Sequence, residues 1–169
     1  MLHIALYQPI IPQNVGNIAR TCVGMDAHLH IIGPTIIDLS SKAVKRAGLD
    51  YWDDLTLTEH DSPAAFFAWA EQEGNPITSR DREGAGPAYS PPPAPLPHGR
   101  GSSRTYVVTK FATRRFDEPC YRDGDIFLFG SEREGLPPEV HDRFADDQRI
   151  AIPIPGAVRR YNLRNTVAL

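Results

Sequence analysis

The chain has 169 residues, 41% hydrophobic and 23% charged, with a formal net charge of −3. This is the size and balance of a single globular domain able to bury a full core. It excludes a global basic field for nucleic acid, although a local basic patch can still hold phosphate. The two cysteines, Cys22 and Cys120, form no CxxC pair, and the six histidines are scattered without metal-ligand spacing. A disulfide framework and a metal site are therefore not expected. The start, "MLHIALYQPI", lacks the charged region of a signal peptide, and no run approaches the roughly 18 apolar residues of a membrane span. A cytoplasmic, reducing location is the simplest expectation.

In chain order, "LHIALYQP" is short and apolar and stops at Pro9, which predicts a buried strand. A helix is expected from about Asn14 to Met25, with Val15, Ile18, Ala19, Cys22 and Met25 as its core stripe. "HLHIIGP" predicts a second strand and "SSKAVKRAG" a short helix with Gly48 at its end. "DLTLTEH" is a candidate third strand. "DSPAAFFAWAEQEG" is a helix with Asp61 or Ser62 as cap, Pro63 in its first turn and Gly74 beyond its end. From about 74 to 103 the chain turns rich in Pro, Gly, Ser and Arg, with "SPPPAPLP" inside. That composition forms neither helix nor central strand; it is a long flexible insertion, read as a solvated loop or a polyproline ligand. Strands follow at "RTYVVTKF" and "DIFLFG", then a helix at "LPPEVHDRFADD", a strand at "RIAIPIP" and a last helix from about Asn162. Strands alternate with helices and several are almost wholly apolar. The expected architecture is one α/β domain, residues 1–169, with a mostly parallel sheet between helices.

Chemistry concentrates in three stretches. There is no GxxxxGK[ST] loop, no GxGxxG after the first strand, no GxSxG and no HExxH, so the common phosphate loops, serine hydrolysis and metal hydrolysis lose ground. In "IPQNVGNIARTC", Asn14, Asn17 and Arg20 are expected to share one edge of the helix beside its core stripe, with Gly16 leaving the first turn bare. Amides and a guanidinium beside a helix N-terminus suit phosphate or ribose. Alternatively, Asn14 is a cap and Arg20 an ordinary surface residue. In "FLFGSEREGLP", Gly130 ends an apolar strand and Gly135 follows it, at the end of a sheet where ligands bind. "IPIPG" then "RRYNLRN" forces a stiff irregular loop with free backbone groups.

Together with "KRAGLDYW", these stretches resemble, in order and spacing, the motifs of the SPOUT superfamily of RNA methyltransferases, and most closely its small tRNA wobble-position 2′-O-methyltransferases. The resemblance covers the chain except the insertion. It implies a fold ending in a trefoil knot, whose tail is expected to be short because the sequence stops at Leu169. It also implies a homodimer, S-adenosylmethionine as methyl donor and tRNA as substrate. Carried over by position, Val107, Gly130, Ile152 and Leu163 would line the cofactor pocket. Glu132, Gly135, Asn162 and Asn165 would shape the motif loops. Arg20 would be the catalytic arginine, with Asn14, Asn17, Lys110 and Arg159 on the RNA. Lys42, Lys45, Arg46, Arg114, Arg115 and Arg160 are further candidates for phosphate contact. The family has serine where this chain has Arg160 and Arg164. A guanidinium stays protonated in proteins, so gripping phosphate and stabilising a developing alkoxide suits Arg20 better than acting as a base. Rival readings are a non-catalytic RNA-binding relative, an enzyme for another tRNA or rRNA position, and a generic nucleotide-binding α/β protein.

Overall fold

The computed structural model describes residues 1–40, 50–73, 104–154, 156 and 161–168. Its strands are short: β1 (His3–Tyr7), β2 (His28–Ile32), β3 (Leu57–His60), β4 (Thr105–Val108), β5 (Ile126–Phe129) and β6 (Arg149–Ile150), with β5 wholly apolar and β3 mostly polar. They form one sheet in the order β3-β2-β1-β5-β4-β6, with every neighbouring pair parallel. The chain starts at the centre, winds out to β3, then crosses over to build the other half. Winding thus reverses between β1 and β5, where an open α/β sheet leaves a crevice beyond its carboxyl ends.

The helices are α1 (Pro12–Met25), α2 (Pro63–Gln72), α3 (Pro138–His141) and α4 (Leu163–Val167). Strand alternation sends Ala5, Tyr7, Ile32, Val107, Ile126 and Leu128 to one face, where Phe66, Phe67 and Ala70 of α2 cover them. Leu6, Leu29, Ile31 and Phe129 go to the other, against Val15, Ile18, Ala19 and Cys22 of α1 and Leu163 and Val167 of α4. Each fully buried aliphatic or aromatic side chain contributes about 1.5–3 kcal/mol. The α1 stripe is as expected except for Met25, which is 63% exposed in the helix's last position. Burial pushes the Cys22 thiol up to about 12, whereas Cys120 is exposed. Ser62 caps α2, its Oγ accepting from the Ala65 amide at 3.2 Å.

Two elements are shorter than expected. The helix foreseen over "LPPEVHDRFADD" is a single turn at Pro138–His141, followed by a 3-10 turn at Asp146–Gln148. Arg149 Nη2 donates to the carbonyls of His141 and Phe144 at 3.1 and 2.8 Å. A side chain from β6 thus takes acceptors that a continuing helix would have used itself. The strand over "RIAIPIP" pairs with β4 at Arg149 and Ile150, Ala151 adds a single bridge to Arg115, and Pro153 has no N–H with which to carry the ladder further. The expected helix at 40–48, apart from Ser40, and the Pro-rich stretch at 74–103 lie outside the described residues. Among the described residues no helix is long and apolar enough to cross a membrane.

Candidate active site

A cleft of about 650 Å³ opens at the carboxyl ends of β4 and β5. Ile11 and Asn14 from the start of α1 line it, as do Val108 to Phe111 after β4, Phe129 to Leu136 after β5, and Tyr161 to Leu163 with Thr166 at α4. All three chemical stretches of the sequence therefore meet at one place, beside the point where the sheet's winding reverses.

Glu132 joins the first stretch to the second. The N-cap residue of α1 is Ile11, which has no side chain able to cap. The Glu132 carboxylate instead binds the chain just ahead of the helix, accepting from the amides of Ile10 at 3.0 Å and Ile11 at 3.2 Å and from the Asn14 side-chain amide at 3.0 Å. Its negative charge also sits at the positive end of the helix dipole. Asn14 is only 3% exposed, so its hydrogen bond to Glu132 is needed to offset burial of a polar group. Asn14 is thus neither cap nor surface residue, but part of the joint between the two stretches.

The loop after β5 folds back on itself. Ser131 and Gly135 exchange backbone hydrogen bonds at 3.1 and 2.9 Å, and Gly135 has φ +77°. A Cβ on Gly130 would stand 2.3 Å from the Gly135 carbonyl carbon and 2.5 Å from the Leu136 nitrogen. Gly130 is therefore required by the loop's own backbone, in addition to any ligand that lies against it.

Of the residues expected at the site, Asn14, Lys110, Gly130, Glu132, Gly135, Asn162 and Leu163 line this cleft. Val107 is fully buried on the α2 face, and its neighbour Val108 reaches the cleft instead. Ile152 lines a second, apolar cavity of about 250 Å³ with Cys22, Met25, Phe127 and Val167. Asn165 is exposed in the first turn of α4, which Asn162 caps by accepting from the Arg164 amide at 3.0 Å. Arg159 and Arg160 lie outside the described residues, as do Lys42, Lys45 and Arg46.

Arg20 and Asn17 are exposed on α1 and stand away from the cleft lining. A three-residue step falls about 60° short of a full helical turn, so the row spirals away from Asn14. Asn17 donates to the Gln13 carbonyl at 2.7 Å. The Arg20 guanidinium lies 4.8 Å from the centre of the Tyr51 ring, and the Tyr51 hydroxyl donates to the Gly16 carbonyl at 2.7 Å. Tyr51 thus braces Arg20 against its own helix. Arg114 donates to the Asp147 carbonyl at 2.7 Å, and Arg115 forms a two-point pair with Asp117. Both guanidinia are engaged within the chain.

Several lining residues lay outside the sequence motifs. Phe111 is 73% exposed beside Lys110, whose Nζ is 4.9 Å from the ring centre. An exposed phenylalanine next to a lysine is a usable signal in "TKF", though one easily taken for the end of a strand. His141 Nε2 is 3.1 Å from Thr109 Oγ1, and burial, with Arg149 nearby, lowers its pKa. A small organic ligand suits this cleft. Its volume falls within the usual range of about 300–1,000 Å³. Val108, Phe129, Leu136 and Leu163 give it apolar walls, Gly130 and Gly135 a bare backbone edge, and Glu134 a carboxylate for a cationic ligand.

A model of the SpoU rRNA Methylase family matches residues 1–169, and the chain belongs to that family. It is 34% identical over 169 residues to the Burkholderia cenocepacia protein named tRNA (cytidine(34)-2′-O)-methyltransferase, covering 100% of this chain and 90% of that one. A solved structure described as "Structural insights into the 2-OH methylation of C/U34 on tRNA" is 38% identical, covers 99% of this chain and 90% of that chain, and superposes with a TM-score of 0.73. The AdoMet-bound rRNA methyltransferase from Sinorhizobium meliloti, at 18% identity and TM-score 0.72 over 99% of this chain and 52% of that one, shares the fold.

Proposed function

We propose that this chain is a tRNA 2′-O-methyltransferase that uses S-adenosylmethionine to methylate the ribose of the wobble nucleotide, position 34. The observation that carries the reading is the joint at Glu132, which locks the asparagine-bearing helix start to the glycine-backed loop around one cleft. Relatives named for methylation at that position, matched along the whole chain, support it. S-adenosylmethionine, when bound, supplies an electrophilic methyl group on a sulfonium. Gly130, Gly135, Val108, Phe129 and Leu163 would hold it, and Glu134 offers the cleft a compensating negative charge.

The chain's own task is then positioning. Arg20 grips the phosphate beside the reacting ribose and stabilises the alkoxide as it develops, the hydroxyl proton leaving late to water or phosphate. Lys110 meets a second phosphate, and the exposed ring of Phe111 offers a face on which an unpaired anticodon base can stack. Arg164, where the family has serine, is exposed and stands away from the cleft lining, which favours an enzyme over a relative that has lost its cofactor. A single domain with an insertion at about 74–103, a C-terminal knot, a homodimer and a cytoplasmic location belong to the same proposal.

The test has two stages. Titration of S-adenosylhomocysteine into the chain should give saturable binding. Labelled S-adenosylmethionine and tRNA should then give one methyl on the ribose at position 34, and none when that nucleotide is 2′-deoxy. Binding with methylation elsewhere would move the target. An absence of cofactor binding would leave an RNA-binding relative.

A further inference from the structure

Away from the cleft, the sheet gathers histidines that are scattered in sequence. His3 opens β1 and His28 opens β2, and the two are direct partners across the parallel ladder. Two residues on, on the same face, His30 pairs with Ala5 on one side and Thr58 on the other. His60 ends β3. The four imidazoles form a row under Trp69 of α2: His3 Nδ1 is 2.9 Å from His30 Nε2, and His30 Nδ1 is 3.0 Å from His60 Nε2. His28 Nε2 is 2.9 Å from Thr58 Oγ1. His28 and His30 stack at 4.1 Å, and Trp69 lies 4.2 Å from the His30 ring centre.

We propose that His3, His28 and His30 form a binding site for a divalent transition-metal ion of the zinc type, with His60 and Thr58 as its outer supports. One ring nitrogen from each of the three lies within 4.8 Å of the other two. Zinc–nitrogen bonds of about 2.0–2.1 Å put tetrahedral ligand nitrogens about 3.3 Å apart, so no gap needs to close by more than about 1.5 Å. His3 and His28 are only half-buried and can turn to close it, which also gives the ion access from solvent. His30 is fully buried and fixed.

The surroundings match what a metal asks of imidazole. A ligating histidine needs its other ring nitrogen held; His60 holds Nδ1 of His30, leaving Nε2 towards His3, and Thr58 holds Nε2 of His28. The ligands must also be neutral. Burial, reinforced by the neighbouring histidines, keeps His3 and His30 deprotonated at neutral pH. Imidazoles without a thiolate or carboxylate favour Zn²⁺, Ni²⁺ or Cu²⁺ over Mg²⁺ or Ca²⁺. None of these histidines lines the cleft, so the ion would brace β1, β2 and α2 and take no part in methyl transfer.

The experiment is calorimetric titration of Zn²⁺ into the tag-free chain at neutral pH, with Mg²⁺ as control and thermal melting in parallel. Saturable 1:1 Zn²⁺ binding is expected. It should weaken at least tenfold in His28→Ala and in His3→Ala, and Zn²⁺ should raise the melting temperature of the parent chain by more than that of either variant. His141→Ala, remote from the row, should bind Zn²⁺ as the parent does. Circular dichroism of each variant separates a lost ligand from a lost fold; should His28→Ala fail to fold, His3→Ala decides alone. No Zn²⁺ binding by the parent, or binding unchanged in His3→Ala and His28→Ala, overturns the proposal.

Discussion

At the carboxyl ends of β1 and β5 the polar residues sit in loops and at helix starts; on the α2 face of β1, β2 and β3 they replace core residues within the strands. At the first place Glu132 ties two segments together, taking two amides and Asn14, and Gly130 leaves room for Gly135. At the second, histidines bond mainly to one another and pack under Trp69. The difference shows what each region resists. The cleft depends on backbone geometry, so a single methyl group can disturb it. The histidine row depends on charge state, so acid can disturb it while leaving its volume unchanged.

The largest effect is expected from the residue that stands outside the cleft lining. Arg20→Ala should lower turnover by about 100- to 1,000-fold, the usual cost of removing a donor aimed at developing charge. Affinity for S-adenosylhomocysteine should change by less than about threefold, since Arg20 is not among the lining residues. Steady-state rates set against titration of the cofactor product check this. Equal loss in both would make Arg20, with Tyr51, a structural clasp on α1. Next, Gly130→Ala places a carbon where only 2.3 Å is free. Overpacking of this kind costs about 1–3 kcal/mol, and the displaced loop should also cost cofactor affinity at least tenfold. Thermal melts and titration together read both effects. An alanine variant that binds normally would show that the loop yields more easily than its backbone contacts imply.

The histidine row gives the third test. Burial, then the charges His28, His3 and His60 would carry, hold His30 down to about 2, against 6.5 when unfolded. The unfolded chain therefore binds more protons below pH 6.5, and stability must fall as pH drops through that value. Between pH 7 and pH 5, His30 alone should cost about 2 kcal/mol. His3, lowered to about 4, acts in the same direction but is half-exposed and screened, as is His28; the buried His60 is lowered as well. The Met1 ammonium pushes His3 further down and Asp61 partly offsets the shift at His60. Urea melts at pH 7 and pH 5 measure the difference. Equal stability at both would mean that the row opens to water.

These two regions were unequally legible. The cleft could be read because its residues lie in three contiguous stretches with a recognisable order, and the crossover of an α/β sheet brings such loops to the same end. What joins them could not: Glu132 and Ile10 are 122 positions apart, and only the fold reveals that a carboxylate from the second stretch ties down the start of the first. The row was hidden for a related reason. Alternation places His28 and His30 on one face, but that His3 faces them depends on strand order and register. Val107 and Val108 differ by one residue and so by face; spacing along the motif gives no register and cannot choose between them. The short α3 is likewise not legible, because Arg149, which takes the carbonyl of its last residue and that of Phe144 beyond it, comes from the next strand.

The smallest effect expected is at Arg164, and it bears on how far likeness in sequence carries function. A cation substituted for serine beside a sulfonium should weaken its binding by direct repulsion. In this fold Arg164 is in α4's first turn, just after the Asn162 cap, exposed to solvent and off the cleft lining. Exposed charges at such a position interact through water, where the interaction is worth only a few tenths of a kcal/mol and is screened by salt. Arg164→Ser should therefore leave affinity for S-adenosylhomocysteine within about twofold, measured by the same titration. If Arg164 instead meets RNA, the same variant should weaken tRNA binding and flatten its salt dependence by about one phosphate's share. A tenfold gain in cofactor affinity would place the guanidinium in the cofactor's field, and the cleft would then extend past Leu163 to the far side of α4's first turn.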